Sequence, residues 1–339
     1  MIWLKPLEVL YRFVVWVRNA LYDLKLLPEW SLPGTVISIG NIALGGTGKS
    51  PLVMSVARRI REMGGEPVIL TRGYKSGLRS GEWQVYLNGR VVAGISRPSV
   101  KPDEAVMQSR ELQNTYVIVG SQRYAAARAF LQDLKLTSPT HWILDDGFQH
   151  RRLKRDHDVV ILDARRPWGP CLPAGRFREP ISALARATTV VVGKSTSPEQ
   201  IVALMNHLRS LYPKLELCSV TFKQGPLRLA CGEAPHTNRE RFALVCGVAN
   251  PDDVAHQLRS AGVNLVKVFN NPDHTSFNVR DVLAERLSFT SIVTTEKDWA
   301  RDQESFESLG IAVYVAPLDL EWVHGPPKFL ENNPVITYS

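Results

Sequence analysis

From Val36 onward, short unbroken apolar runs alternate with longer stretches in which apolar residues recur every three or four positions. Runs of the first kind read as strands covered on both faces, and stretches of the second kind as helices with one buried side. The pattern predicts strands over 36–39, 67–71, 116–119, 142–144, 159–162 and 190–192, a hairpin arm over 83–87, and helices over 49–63, 104–113 and 123–134. A turn-rich stretch over 218–241 follows. A second alternating run then places strands over 242–246, 265–268 and 292–294 and helices over 251–261 and 279–287. Apolar strands separated by helices imply a parallel sheet with helices on both faces. The expected class is α/β, with a larger domain over 28–217, a smaller α/β domain over 218–325 and a tail over 326–339.

The first 27 residues follow a different pattern. Lys5, Glu8, Arg12, Asn19 and Asp23 recur at helical steps and draw a polar stripe along an otherwise apolar and aromatic helix that carries Trp3, Phe13 and Trp16. The charges leave no run of the about 20 apolar residues that a spanning helix needs. The unbroken run from Phe13 to Val17 is also shorter than a signal-peptide core of about 7 to 15 residues, so this segment is expected to stay on the protein. The pattern admits two readings: an amphipathic helix lying in a membrane surface, or a helix docked on the protein's own core.

The chain of 339 residues carries a net charge of +8, which favours an anionic partner without choosing among nucleotide, phospholipid and nucleic acid. The four cysteines form no CxxC pair and the histidines no HExxH spacing, so the expectation is a reducing compartment and no structural metal held by protein ligands alone. The basic run Arg151, Arg152, Lys154, Arg155 lacks the interleaved aromatics of a single-strand platform and reads as a solvated face, with no nucleic-acid partner.

Two segments carry chemistry. Gly45-Gly46-Thr47-Gly48-Lys49-Ser50 stands between a predicted strand and a predicted helix. In that setting backbone N–H groups and the helix N-terminus cradle phosphates, Lys49 reaches the β and γ positions, and the Ser50 hydroxyl can hold Mg2+. The full GxxxxGK[ST] pattern would have glycine where this chain has Ala43. The second segment, Asp145-Asp146-Gly147-Phe148-Gln149-His150, ends an apolar strand in two acids. Alone it would be an ordinary turn; beside a phosphate loop its carboxylates are magnesium candidates. No Asn/Thr-Lys-x-Asp run for reading guanine is present, which favours ATP. Gly193-Lys194-Ser195 has no glycine-rich loop before it and reads as a strand end.

Taken together, these residues resemble the tetraacyldisaccharide 4'-kinase family. The resemblance runs in order through Ser38 to Asn41, Gly45 to Ser50, Thr71-Arg72-Gly73-Tyr74, Pro102-Asp103-Glu104, Asp145 to His150, Leu172 to Gly175, Arg178-Glu179-Pro180, Pro272-Asp273-His274 and Thr294 to Asp298. It implies a P-loop kinase using ATP and Mg2+ on a tetraacylated glucosamine disaccharide 1-phosphate in lipid A biosynthesis. It also implies peripheral attachment to the cytoplasmic face of the bacterial inner membrane through the N-terminal helix; a monomer is the expected state. By match to the family's motifs, Asp103 and His274 are implied as a catalytic pair beside Lys49. Ser50, Asp145, Asp146 and Glu104 are implied at the metal, and Gly45, Gly46, Thr47, Gly48, Arg123 and Gln149 at the nucleotide. Arg72, Tyr74, His150, Arg178 and Glu179 are implied on the acceptor side. The chain departs from the family's usual pattern at Pro102, Ser50 and Thr275. A P-loop NTPase that spends hydrolysis on binding or assembly at a membrane is the rival expectation.

Overall fold

The computed structural model describes residues 2–73, 76–95, 102–133, 141–195, 197–234, 240–248, 250–272 and 275–331. The chain divides into two compact units. The larger takes in Met1–Val100, Gln108–Thr221 and Leu320–Ser339, and the smaller Lys101–Met107 and Phe222–Asp319.

In the first stretch of the chain the strands are β1 (Thr35–Gly40), β2 (Pro67–Thr71), β3 (Trp83–Leu87), β4 (Arg90–Gly94), β5 (Tyr116–Gly120), β6 (His141–Asp145), β7 (His157–Asp163), β8 (Thr189–Gly193) and β9 (Glu216–Gln224). Next come β10 (Arg228–Cys231), β11 (Phe242–Cys246), β12 (Leu265–Asn270), β13 (Ser291–Thr295), β14 (Ala312–Ala316) and β15 (Leu318–Trp322). The helices are α1 (Lys5–Asp23), α2 (Lys49–Glu62), α3 (Asp103–Glu111), α4 (Arg123–Asp133), α5 (Pro198–Leu211), α6 (Pro251–Ser260), α7 (Val279–Ala284) and α8 (Glu296–Glu307).

The main sheet has ten strands in the order β15-β9-β8-β7-β1-β6-β2-β5-β3-β4. From β9 to β5 the neighbours run parallel, while β3 and β4 close one side as an antiparallel hairpin. Parallel strands need both faces covered; accordingly β2 and β8 are buried along their whole length. Helix α2 lays Val53, Val56, Ala57 and Ile60 against the sheet at steps of three and four, the spacing of one helix face. Trp142 of β6 and Phe130 of α4, both fully buried, meet edge to face with centroids 6.1 Å apart. First in sequence, β1 is central in space, flanked by β6 and β7, so the chain crosses over on either side of it. Ligands of open α/β sheets sit at such a switch point, beyond the carboxyl ends of the strands.

The smaller unit holds a five-stranded sheet in the order β10-β14-β13-β11-β12, parallel except for β10. Its core is aromatic, built on Phe277, Phe289 and Phe306. The stretch expected to be irregular, 218–241, contains most of β9 and all of β10. β9 pairs with β8 and β10 pairs with β14. Polar residues dilute the apolar signal there, but Ser219 is buried with its hydroxyl 2.6 Å from His324 Nδ1, which satisfies it inside the sheet. The helix expected over 279–287 ends at Ala284, and a short 3-10 turn over Arg286–Ser288 follows.

Candidate functional site

Strand β1 delivers the chain at Gly40 into the glycine-rich loop, and α2 receives it at Lys49. Gly45 and Gly48 adopt φ of +102° and +95°, the left-handed region that side chains avoid. Gly48 is the N-cap of α2 and contributes no side-chain cap to the helix, whose N-terminus is the kind of place that favours a phosphate. Ala43, where the general pattern has glycine, is buried and forms an extended bridge with Phe177. That conformation suits any residue, which accounts for the departure. The same bridge stitches the loop to the 171–180 segment, with Leu44 N donating to Arg176 O at 2.7 Å and Arg178 N to Ile42 O at 2.7 Å. Asn41, fully buried, donates to Thr47 Oγ1 at 2.8 Å and pins the loop from inside.

The β1–β6 register sets Ile39 beside Asp145, so the two acids lie next to the start of the phosphate loop. Asp146 stands at φ +50°, turned out of the strand. Its carboxylate accepts two bonds from Arg178 Nη1, at 2.9 and 2.7 Å, and lies 3.7 Å from Lys49 Nζ. Burial opposes its ionisation, but Lys49 and Arg178 outweigh burial and hold the carboxyl below the usual range. Asp145 is buried; its Oδ2 accepts from Gln108 Nε2 at 2.7 Å and its carbonyl from Arg123 Nη2 at 2.7 Å. Buried Arg123 also bonds the Asp146 carbonyl at 3.3 Å and so fixes the turn between the acids. Burial lowers its pKa to about 10, against the pull of Asp146 and Asp145.

Gln149 donates to Asn41 O at 3.0 Å and to Glu179 Oε1 at 2.9 Å. Glu179 is buried, and burial alone would raise its pKa; Arg186, Gln149 and Asn19 bring it below the usual range. His150 is pushed down to about 3, first by burial and then by Arg123, Arg155, Arg152 and Arg18, so its imidazole is neutral near pH 7. Arg72 is exposed just past the end of β2. Tyr74 and His274 lie outside the described residues. Asp103 and Glu104 open α3, where Asp103 Oδ1 accepts from the Glu104 N–H at 2.9 Å. Both belong to the smaller unit, as do Pro272 and Thr275 on either side of the 273–274 position.

Among the described residues no three His, Cys, Asp or Glu side chains gather as a ready-made metal cage. Magnesium does not require one, since it keeps several waters and takes one or two carboxylates together with substrate phosphates. Ser50, Asp145 and Asp146 offer the hard oxygen donors that suit it.

The profile of the family described as Tetraacyldisaccharide-1-P 4'-kinase matches residues 1–332. The chain belongs to that family. Tetraacyldisaccharide 4'-kinase from Chlorobium luteolum is 33% identical over 87% of this chain and 85% of its own. The one from Anaeromyxobacter dehalogenans is 34% identical, covering 94% and 86%. A crystal structure described as the "apo" form of LpxK from Aquifex aeolicus in complex with ATP superposes with a TM-score of 0.72 at 25% identity, covering 94% of each chain.

In this kinase fold the structure brings together Lys49, Asp146, Arg178, Gln149 and Glu179, all read from the sequence. It also enlists residues that sequence reasoning passed over. Lys194, in the segment set aside as a strand end, does follow β8, and its Nζ donates to Gly46 O at 2.7 Å. Arg176 Nε donates to Leu44 O at 3.0 Å on the opposite side of the loop. Gln108 and Arg186 have no motif of their own; only tertiary contact identifies them.

Proposed function

We propose that this protein transfers the γ-phosphate of ATP to the 4'-hydroxyl of a tetraacylated glucosamine disaccharide 1-phosphate, with the named side chains in the roles that follow. The observation that carries the reading is Lys49 held 3.7 Å from Asp146 at the mouth of the phosphate loop. Lys49 meets the phosphate charge, backbone N–H groups of the glycine-rich loop cradle it, and Arg123 fixes the turn that carries Asp145 and Asp146. Ser50, Asp145 and Asp146 would hold Mg2+ through hard oxygen donors, and the ion would supply charge neutralisation at the phosphates. By the family resemblance, Asp103 is the group that accepts the proton lost by the acceptor hydroxyl, with His274 as its partner in that role. Arg72, Tyr74 and His150 are the acceptor-side contacts that the family resemblance implies. Phosphoryl transfer asks for little covalent work from protein, so positioning and charge carry the rate.

The work is done at a membrane surface. Helix α1 turns Phe13 and Trp16 to solvent, at 57% and 65% exposure, Trp3 in the short 3-10 turn before it is 92% exposed, and a groove lined by Phe13, Val14, Val17, Arg18, Leu21 and Leu27 opens along the helix. Among the described residues no helix is long and apolar enough to cross a membrane. An apolar helix face left open in this way suits the headgroup and acyl boundary. Peripheral attachment at the cytoplasmic face of the inner membrane, by a monomer, is the arrangement we propose.

Transfer of label from γ-labelled ATP into an extracted lipid fraction, followed by identification of the labelled lipid, tests the reaction. ADP release that depends strictly on the lipid disaccharide is the expected result. Hydrolysis indifferent to the acceptor would point instead to an NTPase.

A further inference from the structure

The outward face of α1 is largely apolar, but several of its inward positions are polar and bonded to residues of the site. Asn19 donates through Nδ2 to Glu179 Oε2 at 2.9 Å. Glu179, 1% exposed, accepts on its other oxygen from Gln149 Nε2 at 2.9 Å and Arg186 Nη2 at 2.7 Å. Gln149 Oε1 in turn accepts from Arg178 Nη1 at 3.2 Å, and that same nitrogen grips both oxygens of Asp146. A continuous path therefore runs from Asn19 through Glu179, Gln149 and Arg178 to Asp146, which faces Lys49. Two contacts brace its middle: the Tyr11 hydroxyl donates to the Arg178 carbonyl at 2.9 Å, and the Arg18 guanidinium donates to the Gln149 carbonyl.

Simple docking of a helix does not call for this arrangement. Asn19 Oδ1 is buried with no hydrogen-bond partner among the described residues. A buried oxygen left unbonded loses its hydration without compensation, whereas an apolar pair at the same contact would leave nothing unsatisfied. What the amide supplies is a donor aimed at one buried carboxylate. A carboxylate bonded on both oxygens has a single orientation, and so have the groups bonded to it.

We propose that α1 is a working part of the phosphoryl-transfer site, with Asn19 as a positioning residue that acts through Glu179 and Gln149 on Arg178 and Asp146. The inference rests on the kinase reading above. It gives the helix two separate tasks, an outward one at the lipid and an inward one at the nucleotide. A Glu8 contact, Oε1 accepting from Cys171 N at 2.8 Å, holds the near end of the same helix to the segment that carries Arg178.

The test is a double-substitution cycle on the full chain, read as acceptor-dependent ADP release with saturating ATP and detergent-dispersed lipid substrate. Asn19→Ala is expected to lower kcat by about 10- to 100-fold, the range that small misplacements of reacting groups cause. The KM for lipid and the partition onto phospholipid vesicles should stay near those of the unsubstituted enzyme. In a Glu179→Gln background the same substitution should cost little more, because the two residues act along one path. Tyr11→Phe, which keeps the ring and removes one donor, should lower kcat by a smaller factor and serves if Asn19→Ala does not fold. Normal turnover in Asn19→Ala, or in Tyr11→Phe where that variant stands in, overturns the inference, and so does a loss that adds in full to that of Glu179→Gln. An unsubstituted enzyme without acceptor-dependent ADP release would instead bring down the kinase reading itself.

Discussion

In the proposed site, Lys49 is the residue on which phosphoryl transfer depends. Its side chain leaves the first position of α2, mostly covered, with Asp146 as an ion-pair partner 3.7 Å away. A contact that long and partly exposed adds little to folding stability. Lys49→Ala should therefore abolish phosphoryl transfer while leaving the thermal unfolding midpoint nearly in place, and paired activity and calorimetry measurements check both halves. Asp103 and His274 pose a different residue-scale question, because their roles rest on the family resemblance and His274 lies outside the described residues. Asp103→Asn is expected to lower kcat by about 10²- to 10⁴-fold with ATP affinity kept, the loss typical of a general base. His274→Ala should cost less, and the double variant less than the product of the two single effects, since residues acting as one unit are not additive. Full additivity in kcat would separate the pair, and near-normal turnover in Asp103→Asn would remove the base from the mechanism.

At the scale of elements, α1 reverses the usual arrangement of an amphipathic helix. Surface helices ordinarily turn apolar residues inward. Here Glu8, Arg18 and Asn19 make bonds to the protein, while Leu10, Phe13, Val14 and Trp16 face out. This predicts the outcome of replacing Trp3, Phe13 and Trp16 with Ser. The variant should keep its unfolding midpoint, because those side chains bury little in the folded chain. Its affinity for vesicles should fall, by about tenfold for each side chain withdrawn from the interface at ~1.5 kcal/mol apiece. The fall should be larger on anionic vesicles at low salt, where Lys5 and Arg12, both exposed, contribute attraction. Co-sedimentation across a salt series measures it; unchanged partition would end the interfacial reading of this helix.

For the whole molecule, acid is the informative stress. His150 has a folded pKa of about 3 against the usual 6.5, so between those values the unfolded chain binds a proton that the native chain refuses. Its contribution to stability is present above about pH 6.5 and is lost as the pH falls from there toward 3. Asp146 and Glu179, depressed below their ordinary values, add stability that disappears only at lower pH, as the medium drops through their folded pKa values. Asp158 and Asp298 are raised by burial and work in the opposite direction. A titration of the unsubstituted protein alone would mix these terms. His150→Gln isolates one of them: its stability should lose up to about 1.4 kcal/mol per pH unit of slope between pH 6 and 4 relative to the unsubstituted protein. Denaturant unfolding at a series of pH values makes the comparison, and identical slopes would show that His150 titrates normally.

Much of this protein was determined by local sequence. The alternation of apolar runs and helical stripes placed β1, β2, β5 to β8, α2 and α4 to within a few residues, because a strand covered on both faces must be apolar throughout and a core helix must repeat every 3.6 residues. The glycines at 45 and 48 marked the phosphate loop for an equally local reason, since their backbone angles exclude other residues. The family's ordered blocks identified the chemistry. Tertiary structure alone decided which strand lies beside which, and hence that Asp145 borders Ile39 across a hundred residues of chain. It also decided which way α1 faces, because a periodic pattern defines two sides of a helix without saying which of them meets the protein. Lys194, Gln108, Arg186 and Asn19 owe their places to contacts between segments remote in sequence, and one chain carries no local mark of a partner it meets only after folding.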